Sequence, residues 1–496
     1  MELYPSNHEN VDSLQSKLFG HRLKANQTKY EYLIEFLQVA ISKKEDAVLH
    51  TPYSEKDLFP VSSSIAEDNI VYFPIPGMHL KRFVFIPRGK LEGRAKVDKD
   101  AYDDMLQTLK DSIVADSELD KDKALLVLQN LLGGFSAVNQ SRSWFDQNVL
   151  PICPEVILPE GMGKKSWRKK LDFSLDNPDV DNKFDFHQYT YMCRGGEVYY
   201  LHLLHAINSH SEKKAAIESG LMRMISAFPQ FSVMCKFISE TWKQHMEVYD
   251  DPAPLKKKLG AIPEAFSSRD EYTVSELSNF FNSQTHPFEK METFANGIIL
   301  QLLRMMYVVA STPKESNCWL IDMNGDGYDN SEMKKAAVWA FRHNEEVFSE
   351  YLYKGLKRYY SGNDEKKVIK DAAEDSYKLF RKLGKMIGIV IPSHGPGLRF
   401  SLSEEAIKFL VLSLIPPRSM VTLGEFIDLL YKHFGMVIDQ EKYAEEMSCG
   451  SLMELSDLSF LNANKEALSQ KLKDCGFLRD LSDATSIVEN PYEEEA

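Results

Sequence analysis

Apolar residues recur at three- and four-residue intervals along most of this chain, the period of a helix with one buried face. The first clear case is TKYEYLIEFLQVAI at 28–41. The character changes near 70–90. In NIVYFPIPGMHLKRFVFIPRGK, β-branched and aromatic residues alternate with turn formers, which predicts short strands. Helical spacing returns at 100–113 and 122–138, the second broken by Gly133 and Gly134. NVLPICPEVILPEGMG is then proline-rich and reads as extended. Over 197–312 the pattern is mostly helical, in KKAAIESGLMRMISAF, FSVMCKFISETWKQHM and KMETFANGIILQLLRMMYVVA. Between the last two, YDDPAPLKKKLGAIPEAFSSRDEYT has the composition of a linker. NCWLIDMNGDGYDNSE predicts a short strand and a turn, and long helices follow over about 332–360 and 366–387. IPSHGPG then breaks the chain and predicts a domain boundary.

Beyond that break the local signals sharpen. Ser403 is placed to cap a helix with Glu404 and Glu405 in its first turn, and Pro416-Pro417 stops it. Thr422 and Glu425 form a capping box, and Gly435 is a glycine exit. MVID is a short apolar run. A third helix over 464–474 leads into LRDLSDATSIVENPY, two short alternating segments about a polar turn, which predicts a hairpin. Helix, helix, strand, helix, hairpin is the order of a winged helix-turn-helix. The expected fold is therefore mainly α, with a small N-terminal α/β portion and a C-terminal winged helix-turn-helix domain. The expected divisions are an N-terminal α/β region at 1–150, a helical central region at 151–390, and the winged helix at 398–492.

Composition adds limits. Of 496 residues, 43% are hydrophobic, enough to build cores without covalent staples. The net charge of −14 means any nucleic-acid contact must use a local basic patch. Six cysteines without a C-x-x-C pair argue against a disulfide framework or a zinc ribbon and fit reduced thiols. MELYPSNHENVD has neither a basic nor an apolar leader region. The most apolar long window, FANGIILQLLRMMYVVAST, carries Arg304 near its centre, which favours a buried helix over a membrane span. The expectation is a cytoplasmic protein with no membrane contact. Over 400–492 there are 8 basic and 15 acidic residues, so the predicted winged helix suits protein docking better than DNA reading.

Two regions invert the overall charge. Over 354–385, 10 basic residues face 5 acidic ones, with Tyr359, Tyr360, Tyr377 and Phe380 interleaved. Lys357, Arg358, Lys378, Arg381, Lys382 and Lys385 are candidate phosphate contacts, and exposed rings there would stack on bases. A solvated helix face with buried aromatics is the alternative. GMGKKSWRKK at 161–170 sets Lys164, Lys165, Arg168, Lys169 and Lys170 around Trp167. It fails as a P-loop because Lys165 stands where Ser or Thr should hold magnesium. It reads as either a backbone-contacting or a merely exposed loop.

Catalytic signals are sparse. In DMNGDGYDNSEM, Asp322, Asn324 and Asp326 match positions 1, 3 and 5 of a calcium loop, but Glu332 comes one place early. Hard oxygen ligands would select Ca²⁺ or Mg²⁺ there; a polar turn entering a helix is the rival reading, and with it no cofactor is expected. His187, Cys193, His202, His205 and His210 cluster in sequence, yet only the His202/His205 pair has a helical spacing that could share a face. Gly195-Gly196 predicts a turn. SHGPG sets Ser393 beside His394, and reads as a turn. No nucleophile elbow or zinc-protease motif occurs.

YEYLIEFLQV, CRGGEVYYL and LRDLSDATSIVENPY together resemble subunits of bacterial anti-phage defence systems, of the methylation-associated or phosphorothioate-associated type. The resemblance implies a non-ATPase component working beside ATPase, methyltransferase or nuclease partners. It transfers no functional residue. The expected function is a non-catalytic adaptor that docks other defence-system subunits through the winged helix and holds DNA backbone on its basic patches. Two alternatives stand: a metal-dependent nuclease acting on foreign DNA, and a winged-helix transcriptional regulator.

Overall fold

A computed structural model describes residues 3–4, 13–21, 23, 27–54, 56–60, 70–74, 77–88, 94–137, 146–158, 161–163, 189–191, 195–249, 256–311, 318–325, 331–360, 364–482 and 485–495. These are mainly helical, with a few two- and three-stranded sheets. The organising element is the helix Pro287–Ala310. It is the one helix among the described residues long and apolar enough to cross a bilayer, and 94% of its apolar window is buried inside the fold. Arg304, the charge within it, is buried with its guanidinium over the rings of Trp319 and Tyr307, 5.5 and 5.9 Å from their centroids. Burial, with the nearby Arg269 charge, pushes its pKa down to about 9.

Around this helix pack Lys29–Ile41, Gly195–Ser209, Asp270–Asn282 and Glu404–Leu414, which share one apolar cluster running from Leu14 to Val488. Lys29–Ile41 begins where its sequence says it should. The Thr28 hydroxyl accepts from the Glu31 amide, and the Glu31 carboxylate accepts from the Thr28 amide. The predicted turn at Gly195-Gly196 is instead the first turn of a helix. Its role is close approach. A Cβ on Gly196 would lie 2.2 Å from the Phe36 amide nitrogen, so only glycine lets these two helices meet here.

That contact encloses a carboxyl group. Glu35 is 1% exposed, and it accepts from the Gly196 amide at 3.0 Å and from Gln27 Nε2 at 2.6 Å. Burial outweighs both hydrogen bonds and pushes its pKa from 4.5 up to about 8. Between those values the folded state holds a proton that the unfolded chain has released. This group's contribution is therefore greatest below pH 4.5 and is lost as pH rises through 8. Glu35→Gln is expected to gain stability on the wild type from pH 5 to 8, by at most about 1.4 kcal/mol per pH unit. Urea unfolding at pH 5, 6.5 and 8 checks this, and parallel pH profiles for the two proteins would refute it.

A second apolar cluster gathers Met78–Phe85, Arg94–Ser112, Glu118–Gly134 and Pro229–Tyr249. Here the strand prediction for 70–90 needs correction. Ile70–Phe73 is a strand, paired with Lys43–Asp46 and Lys257–Lys258, but the next element is a helix. Leu80, Phe83 and Val84 have the spacing of a helical face and are buried in this cluster. The expected linker is also corrected. Lys257–Lys258 and Ile262–Pro263 add strands to Ile70–Phe73 and Leu3–Tyr4, and Leu259, Ala261 and Phe266 are buried.

The helices Ser331–Tyr359 and Glu365–Met386 lie where the periodicity puts them and pack on each other. The IPSHGPG break is the turn of a hairpin, Val390–Ile391 against Arg399–Phe400. Beyond it come Glu404–Leu414, Met420–Thr422, Leu423–Phe434, Met436–Val437, Gln440–Ser448, Phe460–Asp474, Leu478–Ser482 and Thr485–Glu489. Ser403 and the Thr422/Glu425 capping box cap their helices, and Gly435 exits in the left-handed region at φ 63°. Thr485–Glu489 is the middle strand of a three-stranded antiparallel sheet between Met420–Thr422 and Leu478–Ser482. The helix Gln440–Ser448, capped by Asp439, is absent from the sequence expectation.

This C-terminal part is bound to the rest through strands and charges. Met436–Val437 pairs in parallel with Trp319–Leu320. The acidic tail is pinned down too. Glu495 takes Lys290, itself buried, and Arg223 at 2.7 Å. The Gln284 amide donates to the Glu493 carbonyl at 2.8 Å.

Candidate functional site

The amphipathic helix Glu365–Met386 presents the basic region. Ala372, Ser376, Leu379, Phe380, Leu383 and Gly384 are buried. Lys366, Lys367, Lys370, Lys378, Arg381 and Lys382 are exposed, and Lys385 is half-buried. At roughly 100° per residue these seven cations fall within half the circumference. Asp371 and Glu374 share that face. Lys378 pairs with Glu374 at 2.8 Å. Arg381 donates through Nε and Nη2 to both Glu345 carboxylate oxygens, at 2.8 and 2.9 Å. Lys385 donates to the Ser393 carbonyl at 3.0 Å. Lys378 and Arg381 are themselves exposed, so water screens these pairs and phosphate oxygens can compete for the donors.

The aromatic half of the expectation turns out differently. Phe380 is buried, and Tyr359 and Tyr360 pack half-buried against the core. Tyr377 donates to the Glu345 carbonyl at 3.1 Å. These rings are structural, because the apolar side of each helix faces the core. The more exposed ring is Tyr353, under the Lys357 ammonium at 4.5 Å, while Arg358 lies over Tyr359 at 5.4 Å. The face is thus suited to backbone phosphates rather than to stacked bases. The second basic patch, Lys164, Lys165, Trp167, Arg168, Lys169 and Lys170, lies outside the described residues.

Of the calcium-like loop, Asp322 and Asn324 are described and Asp326 is not. The Asp322 carboxylate accepts from Arg399 Nε at 2.6 Å and from the Asn324 amide at 3.1 Å. Arg399 is fully buried and also donates to the Gly325 and Gly397 carbonyls, at 3.0 and 3.2 Å. The Asp322 side chain therefore neutralises an arginine and ties the loop, which fits a polar turn entering a helix. Among the described residues no three or more of His, Cys, Asp and Glu are grouped to hold a metal ion.

His202 and His205 do share a helix face, and both address one carboxylate. His205 Nδ1 lies 2.7 Å from Asp270 Oδ2, and His202 Nδ1 lies 3.6 Å from Asp270 Oδ1. His202 Nε2 meets the Thr273 hydroxyl at 2.8 Å. Hydroxyl, imidazole and carboxylate in series could activate a nucleophile. Here Thr273 and His202 are 0% exposed and Asp270 5%, which seals them from substrate. Burial, then the charges of Arg269 and His205, pushes the His202 pKa down to about 3, so its ring stays neutral in the core. His187 and Cys193 lie outside the described residues.

A largely buried charged cluster carries no motif. Glu276, fully buried, accepts from Arg269 Nη2 at 3.2 Å, from Gln301 Nε2, and lies 2.8 Å from His433 Nδ1. Arg269 also donates to the Gln301 carbonyl oxygen at 3.1 Å and to the His433 backbone carbonyl. Burial alone would raise the Glu276 pKa, but Arg269, His433 and Gln301 together hold it below its ordinary range. The cluster joins the helices Asp270–Asn282 and Pro287–Ala310 to the end of Leu423–Phe434. Its members are up to 164 residues apart, so no spacing pattern could have announced it.

No family model matches this chain, and neither a curated protein nor a solved structure does. The sites above are therefore read from their own chemistry.

Proposed function

We propose that this protein is a non-catalytic, cytoplasmic subunit of a bacterial phage-defence complex that holds DNA backbone on a helical basic face and docks partner subunits through its C-terminal part. The observation that carries the DNA half is the row of seven cations on Glu365–Met386, on a chain of net charge −14. Cations at that density supply sequence-independent phosphate affinity and leave the chemistry to a partner.

The docking half rests on the last ninety residues. Four helices from Glu404 onward, with a sheet ordered Met420–Thr422, Thr485–Glu489, Leu478–Ser482, support a winged-helix reading. The helix that would enter a major groove, Phe460–Asp474, has its lysines engaged by neighbouring acceptors. Lys465 faces Asp439 at 3.9 Å, Lys471 donates to the Leu402 carbonyl at 3.0 Å, and Lys473 pairs with Asp480 at 2.6 Å. Its Asn464 is buried against Ile321, Met323 and Ile438. This favours a protein partner, such as an ATPase, methyltransferase or nuclease subunit, over a transcriptional regulator.

Reversing Lys366, Lys370 and Lys382 to Glu is expected to weaken duplex DNA binding at least tenfold at low salt and to flatten its salt dependence by about 3 in log–log slope. Co-purification of partner subunits from native cells should be unchanged. DNA retention equal to wild type in a filter-binding titration removes the proposal.

A further inference from the structure

The cationic side of Glu365–Met386 carries no exposed ring, but the helix it packs against does. On Ser331–Tyr359 the apolar face goes inward, with Met333, Ala337, Phe341, Phe348 and Leu352 buried. Its outer side keeps two large aromatics in water, Trp339 at 37% exposed and Tyr353 at 50%. At about 100° and 1.5 Å per residue, they fall within roughly 40° of one another around the axis and about 21 Å apart along it. The His343 ring lies nearly parallel to Trp339, at 11° and with 5.2 Å between centroids, a stack that holds the indole in place. Lys335, Arg342 and Lys357 occupy the same stripe and are exposed. Glu346 and Glu350 lie between the rings, 3.7 Å from His343 and Lys354 respectively.

The two helices run antiparallel, because Glu345 meets Arg381 and Ser349 meets Tyr377, one turn on in the first helix and one turn back in the second. Glu345 stands one turn from Arg342, and Ser349 one turn from Tyr353. The row of cations therefore runs beside the stripe of rings along its length. Single exposed aromatics are ordinary on a protein surface, but two on one stripe beside such a row match what a single strand presents: phosphates along one edge and unpaired base faces along the other. A duplex offers phosphates to the same cations but keeps its base faces stacked inside, out of reach of Trp339 and Tyr353. Given the DNA-holding function proposed above, we infer that the DNA held here is single-stranded, with bases stacked on Trp339 and Tyr353 and backbone phosphates on Lys370, Lys378, Arg381 and Lys382.

Fluorescence anisotropy of the full chain tests this with a labelled single strand of about 16 nucleotides, an abasic strand of the same length, and the corresponding duplex. The single strand is expected to bind about tenfold tighter than the abasic strand, and tighter than the duplex at equal salt. Trp339→Ala and Tyr353→Ala should each weaken single-strand binding about five- to tenfold while leaving duplex and abasic binding level. Trp339→Phe and Tyr353→Phe keep a ring and should retain single-strand affinity, which separates stacking from a fold defect. An abasic strand bound as tightly as the intact one, a duplex bound more tightly than the single strand, or folded alanine variants of unchanged affinity would each overturn the inference while leaving the proposed function in place. Silence with all three probes would remove both.

Discussion

Asp322→Ala is expected to lower the unfolding free energy by about 3–5 kcal/mol. Arg399 is 0% exposed, and its Nε–H points at the Asp322 carboxylate 2.6 Å away. Its guanidinium also donates to the Gly325 and Gly397 carbonyls, which carry no net charge. Alanine would take the Asp322 carboxylate away from a buried cation, and breaking one side of a buried pair is costly. The backbone suffers as well, because the same carboxylate accepts from the Asn324 amide at 3.1 Å. Removing both charges together, as Asp322→Leu with Arg399→Met, should recover most of the loss. Denaturant unfolding measures both variants. The same experiment separates a structural aspartate from a metal ligand. Millimolar Ca²⁺ or Mg²⁺ should leave the wild-type midpoint where it is, and a metal-dependent rise would return Asp322 to a coordinating role.

A loss of similar size is expected for Glu276→Ala, and it should fall on the join between the central helices and the C-terminal part. The carboxylate is fully buried and receives Arg269, Gln301 and His433 from three different segments. Its removal strands the Arg269 cation, which then has only the rings of Tyr272 and Phe434, each 5.3 Å from its centre, and the Gln301 and His433 oxygens. A cost of about 3–5 kcal/mol follows. Glu276→Gln keeps the shape and one acceptor, so it should cost less than the alanine but more than a surface change. Hydrogen exchange offers the sharper readout. Protection should fall first in Leu423–Phe434 and Thr485–Glu489 in the alanine protein. Uniform loss across the chain, or none, would show that the cluster does not hold this join.

Both experiments concern residues whose partners lie far away in sequence, and this marks the limit of what could be read in advance. The candidate basic face was legible, because Lys378, Arg381, Lys382 and Lys385 sit at helical spacing on a helix whose period is plain. The fate of its aromatics was not. Whether Tyr377 faces solvent or the Glu345 carbonyl depends on how Ser331–Tyr359 crosses Glu365–Met386. The calcium-like reading of Asp322 weakened for the same reason: its local pattern says nothing of Arg399, 77 residues downstream.

By itself the sequence determined the elements whose signals act within one turn of chain. Thr28 with Glu31, Ser403, and Thr422 with Glu425 start their helices, and Gly435 ends one, because caps satisfy backbone groups three residues away. The polar turn after Leu481 likewise announced the final hairpin. Tertiary structure decided the rest. It made a helix of Met78–Phe85 by offering its apolar face a second core, and it turned the apparent linker near Leu259 into paired strands. It also brought Gly196 against Phe36 and Glu276 against His433. Local hydrogen bonds repeat with a fixed period and can be read along the chain. Burial and charge pairing depend on which surfaces meet in space, and that choice belongs to the whole fold.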